Sequence, residues 1–176
     1  MNTYKSFKTE RLLLEPTSKK DAEFILELLN TPKWIKYIGD RNVHSIEEAT
    51  NYIRNKMLPQ LKKLGYANYT VIKKSGNIKI GTCGLYDREG IDGIDIGFAF
   101  LPKYENNGFA FESANKLIKI AFEEFNISRI NAITTKKNFR SQKLLLKLGL
   151  KFDKITKLPN ENEKLLLYTL SKYDCS

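Results

Sequence analysis

The segment Glu105-Asn106-Asn107-Gly108-Phe109-Ala110 combines residue types that can hold a phosphate with main-chain groups alone. It stands between a strand-like run, residues 94–101 closed by Pro102, and an apolar-periodic run over 108–125. The first N–H groups of a helix have no internal partners, and the helix dipole is positive there. An anion can bind such a terminus without a basic side chain. Gly108 lets the backbone approach a ligand closely. Asn106 and Asn107 tolerate the left-handed conformations that turn N–H groups inward. The same residues also suit an ordinary strand-to-helix turn, and taken alone they leave both readings open.

A second group of polar residues lies on either side of this loop. Asp95 sits in the preceding strand-like run, where a carboxylate can act as a general base through water or can bond a turn. Asn138-Phe139-Arg140-Ser141 opens another helical pattern, and Asn138 fits a plain helix cap there. Glu112 stands four residues before Lys116, the spacing of an ion pair along one helix face. The lone His44 precedes a helix cap and reads as structural. Cys83 and Cys175 are too few and too far apart for a disulfide framework or a four-ligand zinc site, so no metal is expected.

These groups need elements to carry them. Residues 11–15 read as a strand closed by Pro16. Ser18-Lys19-Lys20-Asp21 resembles a capping box and starts a helix that Asn30-Thr31-Pro32 ends. Ser45-Ile46-Glu47-Glu48 starts a second helix running to Leu64, with Pro59 as a kink or early break. Strands follow over 67–73 and 78–87, joined by the turn Ser75-Gly76-Asn77. After the strand at 94–101, Ala110, Ala114, Leu117, Ile118, Ala121, Phe122 and Phe125 make one apolar helical stripe. A strand over 129–135, a helix over 139–148 ended by Gly149, and strands over 150–156 and 164–170 complete the chain. The predicted order is β-α-α-β-β-β-α-β-α-β-β. So many adjacent strands imply a mixed sheet with helices on both faces, in one domain over 1–176.

The 176 residues are 41% hydrophobic and 28% charged, which is globular composition. No run approaches the roughly 18 apolar residues of a membrane span, and the opening residues carry no signal-peptide pattern. A soluble, cytoplasmic protein is therefore expected. The formal net charge is +10, and residues 129–157 hold nine Lys or Arg against one acid, Asp153. Such a segment is a solvated basic face, or a site for a polyanion: nucleic acid or a phosphate-rich cofactor.

Taken together, these pieces resemble the GNAT superfamily of acetyltransferases. The loop Glu105-x-x-Gly108-x-Ala110 is similar to that family's Q/R-x-x-G-x-G/A loop. Asn138-x-x-Ser141 followed by Lys147-Leu148-Gly149-Leu150 is similar to its N-x-x-S/A helix and K-L-G-F turn. Thr9-Glu10-Arg11-Leu12-Leu13-Leu14 and Asp95-Ile96-Gly97-Phe98 resemble the "TERLLLR" and "E-I-G-Y" segments of the branch containing the ribosomal-protein N-terminal (alanine) acetyltransferases.

The resemblance implies a mixed α/β fold with a twisted sheet of six to seven strands. It also implies a splay between the family's fourth and fifth strands, filled by the pantetheine arm of acetyl-CoA. That arm would pair with backbone at Phe98, Ala99, Phe100 and Leu101, and Asn138 would touch it. Asn106, Asn107, Gly108, Phe109 and Ala110 would hold the pyrophosphate, and the basic stretch from Arg140 would meet the 3′-phosphate end.

Two positions depart from the family pattern. Glu105 replaces Gln or Arg, and a carboxylate beside pyrophosphate is repulsive unless it points away. Leu145 stands where many members carry an acidic Tyr, which leaves Ser141, or a water it holds, to return a proton to the thiolate. Asp95 is the expected base.

The implied activity is acetyl transfer to a primary amine, on a small molecule or a peptide, with a ribosomal protein among the acceptors. The implied assembly is a monomer or homodimer without membrane attachment. An RNA-binding module using Lys136, Lys137, Arg140, Lys143 and Lys147 is the competing class, although no RNA-binding signature with interleaved aromatics accompanies it. A CoA-binding relative without catalysis is the third. The acceptor pocket is expected within residues 31–64, with Trp34, Tyr37 and Tyr52 available either to line it or to fill the core.

Overall fold

Apolar and β-branched side chains concentrate in eight segments, and each becomes a strand of one sheet. The structure, a computed structural model, describes residues 4–159 and 161–175. The strands are β1 (Phe7–Lys8), β2 (Leu12–Pro16), β3 (Asn68–Lys73), β4 (Ile78–Asp87), β5 (Ile94–Phe100), β6 (Arg129–Thr135), β7 (Lys151–Thr156) and β8 (Leu165–Ser171). Their spatial order is β1-β2-β3-β4-β5-β6-β8-β7. Every neighbouring pair is antiparallel except β5 and β6.

The sheet has one strand more than six to seven. The addition is β1, two residues long and paired Phe7↔Leu14 and Lys8↔Leu13. A two-residue strand carries no alternation pattern, and the contact that seats it is non-local: Phe7 packs on Tyr69 with ring centroids 5.5 Å apart.

The helices are α1 (Ala22–Leu29), α2 (Pro32–Tyr37), α3 (Ile46–Tyr52), α4 (Leu58–Leu64), α5 (Phe109–Glu123) and α6 (Phe139–Lys147). Helix α2 was not foreseen. Thr31-Pro32 ends α1 as expected but also starts a new helix: the Thr31 hydroxyl accepts from Trp34 N–H, and Pro32 occupies the first turn, where a missing N–H costs nothing. The predicted helix to Leu64 is broken by a π-helical segment, Ile53–Met57, and α4 restarts one residue before Pro59. The Pro59 ring would crowd the carbonyl four residues earlier, and the wider turn accommodates it.

The two sheet faces bury two apolar clusters. Ala114, Leu117, Ile118 and Ala121 of α5 pack on one face, joined by Leu145 and Leu148 of α6. Burying one side chain such as Leu117 contributes about 1.5–3 kcal/mol. Phe24, Ile25, Leu28 and Leu29 of α1, with Ala49 of α3 and Ile53, form the other. Strand β5 feeds both, because successive side chains alternate between faces. Ile96, Phe98 and Phe100 turn to the α5 cluster, and Ala99 and Leu101 turn to the α1–α3 cluster. Among the described residues, no helix is long and apolar enough to cross a membrane.

Candidate active site

Strand β5 is paired with β4 over its whole length, from Gly81↔Phe100 to Asp87↔Ile94. On its other side it pairs with β6 at only two positions, Ile94↔Ile130 and Asp95↔Asn131. Beyond Asp95 the two parallel strands diverge. Leu101 N–H donates to Ile80 O at 2.9 Å, which sets the parity of the ladder. In an antiparallel pair, alternate residues direct their backbone groups to opposite neighbours. Ala99 and Leu101 therefore bond β4, while Phe98 and Phe100 present N–H and C=O to the gap beside β6.

The loop beyond β5 ends at a bare helix terminus. Asn106 has φ +60° and Gly108 φ +79°. The first backbone bond of α5 runs from Glu112 N–H to Gly108 O at 3.0 Å. The N–H groups of Phe109, Ala110 and Phe111 have no acceptor among the described residues. A Cβ on Gly108 would lie 3.3 Å from the Arg11 guanidinium. Asn107 stands just before these groups, its amide donating to Glu105 O at 2.8 Å.

Arg11 clamps this loop from β2's leading edge. It donates to Asn107 O at 3.0 Å and lies 4.5 Å from the centre of the Phe109 ring. Its Nε and backbone N–H both donate to the Glu112 carboxylate, at 2.7 and 2.9 Å, and Thr9 donates at 2.5 Å. Although burial raises the Glu112 pKa, those three donors outweigh it and hold the carboxyl below its ordinary value. Glu112 therefore pairs with Arg11, 101 residues away, and not with Lys116, the partner that helical spacing suggested. The Arg11 role had only the "TERLLL" resemblance as a signal.

Asp95 is fully buried, its Oδ2 accepting from Arg88 Nε at 2.8 Å. Among the described residues its Oδ1 has no hydrogen-bond partner, and neither has the buried Oδ1 of Asn131 at the paired strand position. Burial raises the Asp95 pKa to about 6, although Arg88 and the Ile133 backbone pull it back. Beside it, the Tyr86 ring lies along the sheet over Gly84 and Gly97, where a Cβ would meet it at 2.6 and 3.0 Å. Tyr86 donates to Asn68 at 2.5 Å, and Asn68 donates to Thr17 at 2.8 Å. Sequence reading missed Arg88, Tyr86 and Asn131, because nothing in their local patterns distinguishes them from ordinary strand residues.

Asn138 caps α6, its side-chain oxygen accepting from Ser141 N–H at 3.2 Å, which leaves its amide N–H₂ free to donate outward. Ser141 is half-buried in the first turn, and its hydroxyl has no hydrogen-bond partner among the described residues. Leu145, one turn further, is in the core. Trp34 Nε1 and Thr135 Oγ1 are also buried without hydrogen-bond partners among the described residues. A shallow cavity of about 240 Å³ is lined by Asn42, Glu48, Asn51, Tyr52 and Asn55, within the segment expected to receive an acceptor. His44 is exposed, and Cys83 is an inert core thiol that burial pushes up to about 12.

Residues 11–151 match the model of the acetyltransferase (GNAT) domain. The chain belongs to the GNAT acetyltransferase family. This GNAT protein is an N-acetyltransferase with a mixed α/β sheet. It is 30% identical to the uncharacterized N-acetyltransferase YoaA of Bacillus subtilis (strain 168), over 80% of each chain. It is similar to a solved GNAT-family acetyltransferase from Bacillus anthracis, with a TM-score of 0.79, 28% identity, and coverage of 96% of this chain and 99% of that one. It also shares its fold with RimL, a ribosomal L7/L12 alpha-N-protein acetyltransferase solved with coenzyme A. That likeness has a TM-score of 0.81 at 16% identity, covering 95% and 98% of the two chains.

Proposed function

We propose that this GNAT domain transfers the acetyl group of acetyl-CoA to a primary amine, on a protein N-terminus or a small molecule, with both substrates bound together. The observation that carries the reading is the divergence of β5 and β6 after Asp95↔Asn131, beside the unpartnered N-terminus of α5. The divergence frees backbone groups of Phe98 and Phe100 for an extended amide-bearing arm. The N–H groups at residues 107–110, with no side chain at Gly108, form a cradle for pyrophosphate. The Asn138 amide is free to donate to the same arm. The residues therefore fit acetyl-CoA, whose part is to supply an activated thioester.

The chain's own groups manage position and protons. A β5 N–H turned into the gap polarises the carbonyl placed against it. Ser141 is the hydroxyl available to return a proton to sulfur. Asp95, buried behind Arg88, takes up the amine's proton through water. An α-amino group, with pKa about 7.7–8.0, asks far less of such a base than a lysine at about 10.4. An N-terminal acceptor is favoured on that ground, and the shared fold of RimL, an alpha-N-protein acetyltransferase, supports it. The protein acts in the cytoplasm on this reading.

The test is thermal denaturation with acetyl-CoA. Ligand at about 100 times its dissociation constant adds about 2.7 kcal/mol to stability. An unchanged melting temperature at millimolar acetyl-CoA overturns the reading. A screen of peptides, polyamines and aminoglycosides with thiol detection then identifies the acceptor.

A further inference from the structure

The departure at Glu105 has a structural partner set. The Glu105 carboxylate oxygen Oε2 accepts from Lys33 of α2 and from Arg140 of α6, the latter at 3.3 Å. Its backbone is held in turn, because Asn107 Nδ2 donates to Glu105 O at 2.8 Å. Glu105 lies on the connection leaving β5, and Arg140 lies in the first turn of α6, the helix that follows β6. The Glu105–Arg140 pair therefore ties together the exits of the two strands that diverge, across the mouth of the gap between them. Lys33 reaches the same oxygen from the helix that packs against the α1–α3 cluster.

We propose that Glu105 is an exchangeable counter-ion that latches this mouth, and that Lys33 and Arg140 are the cations a phosphate group of acetyl-CoA takes from it. This rests on the acetyl-CoA reading above. Three features support it. Glu105 lies four residues before Phe109 in the loop that ends at the bare N–H groups of Phe109–Phe111, so an anion seated there meets the field of the same charges. Lys33 and Arg140 are largely exposed at their side chains, 45% and 69%, and can swing to a new partner, whereas Glu105 at 20% is held. Exposed pairs of this kind are also weak enough to be exchanged. The pyrophosphate of acetyl-CoA outcompetes one carboxylate for two cations because its two phosphates together bring two negative charges and four non-bridging oxygens. The expected consequence is a cofactor held less tightly, and released faster, than the cations alone would allow.

The experiment measures binding of two probes by calorimetry and stopped-flow: acetyl-CoA, and S-acetyl-pantetheine, which has the same thioester arm without phosphates. Glu105→Gln should bind acetyl-CoA about three- to tenfold more tightly, mostly through slower dissociation, which is the scale of one repulsive contact near the surface. Its affinity for S-acetyl-pantetheine should be unchanged. Lys33→Gln and Arg140→Gln should weaken acetyl-CoA alone. Weaker or unchanged acetyl-CoA binding by a folded Glu105→Gln overturns the latch, since Glu105 would then be orienting the cations or doing nothing. Equal tightening of both probes overturns it too, because the effect would not involve phosphate. A folded wild type that binds no acetyl-CoA removes the underlying reading instead, so the two failures are distinct.

Discussion

Arg88 Nε donates to Asp95 Oδ2 at 2.8 Å while Asp95 Oδ1, equally buried, has no partner. One strong ion pair therefore coexists with a buried carboxylate oxygen that has no hydrogen-bond partner among the described residues. Burial dominates, and the Asp95 pKa rises to about 6 from an ordinary value of 3.8.

That shift fixes a sign for stability. A carboxyl whose folded pKa lies above its unfolded one favours the folded state most when protonated. Its contribution is complete below about pH 4 and is lost as pH rises through about 6. Wild type should therefore lose melting temperature relative to Asp95→Asn as pH goes from 4.5 to 8. If Asp95 is also the base, kcat/KM should fall on the acid side with an apparent pKa near 6, and Asp95→Asn should remove that limb. Parallel melting curves for the two proteins across this range would contradict the raised pKa.

Gly108 has φ +79°, and its missing Cβ faces the Arg11 guanidinium at 3.3 Å. Valine here meets both the left-handed backbone penalty and the close approach. Gly108→Val should cost about 1–3 kcal/mol of stability. It should weaken acetyl-CoA binding by much more, to beyond calorimetric detection. The comparison is circular dichroism melts against titration of the same preparation, and normal binding would reduce the loop to a turn.

Ser141 is the free hydroxyl in the first turn of α6, and Leu145 one turn later is a core residue. With no acidic Tyr at that position, Ser141→Ala should lower kcat about 10- to 100-fold, the lower range of general acid catalysis. Acetyl-CoA affinity should change little, because Asn138 and the backbone cradle are untouched. Unchanged turnover makes Ser141 a helix-start residue. Equal loss of turnover and affinity makes it a cofactor contact.

Much of the architecture was legible because it is decided within a few residues. Ser18 and Ser45 cap helices from where they stand. Gly76 and Asn77 adopt the positive φ of the predicted hairpin, and Asn106 and Gly108 that of the predicted loop. The α5 stripe is a periodicity that any apolar face must satisfy. The short strand β1 and helix α2 escaped: β1 needs a partner strand to exist, and Thr31-Pro32 spells an ending and a beginning with the same two residues.

By itself, then, the sequence determined where the chain turns, which helix faces are apolar, and that a turn-forming loop containing Gly108 precedes the longest helix. It did so through backbone preferences and short periodicities that act over a few ångströms. Only the tertiary structure decided which charges meet. Glu112 took Arg11 instead of Lys116, Glu105 found Lys33 72 residues away and Arg140 35 away, and Asp95 was buried against Arg88. The divergence of β5 from β6 belongs to the same class, since pairing that stops after two residues depends on two strands at once. An ion pair's energy depends on distance and local dielectric, and both quantities exist only once the chain has closed on itself.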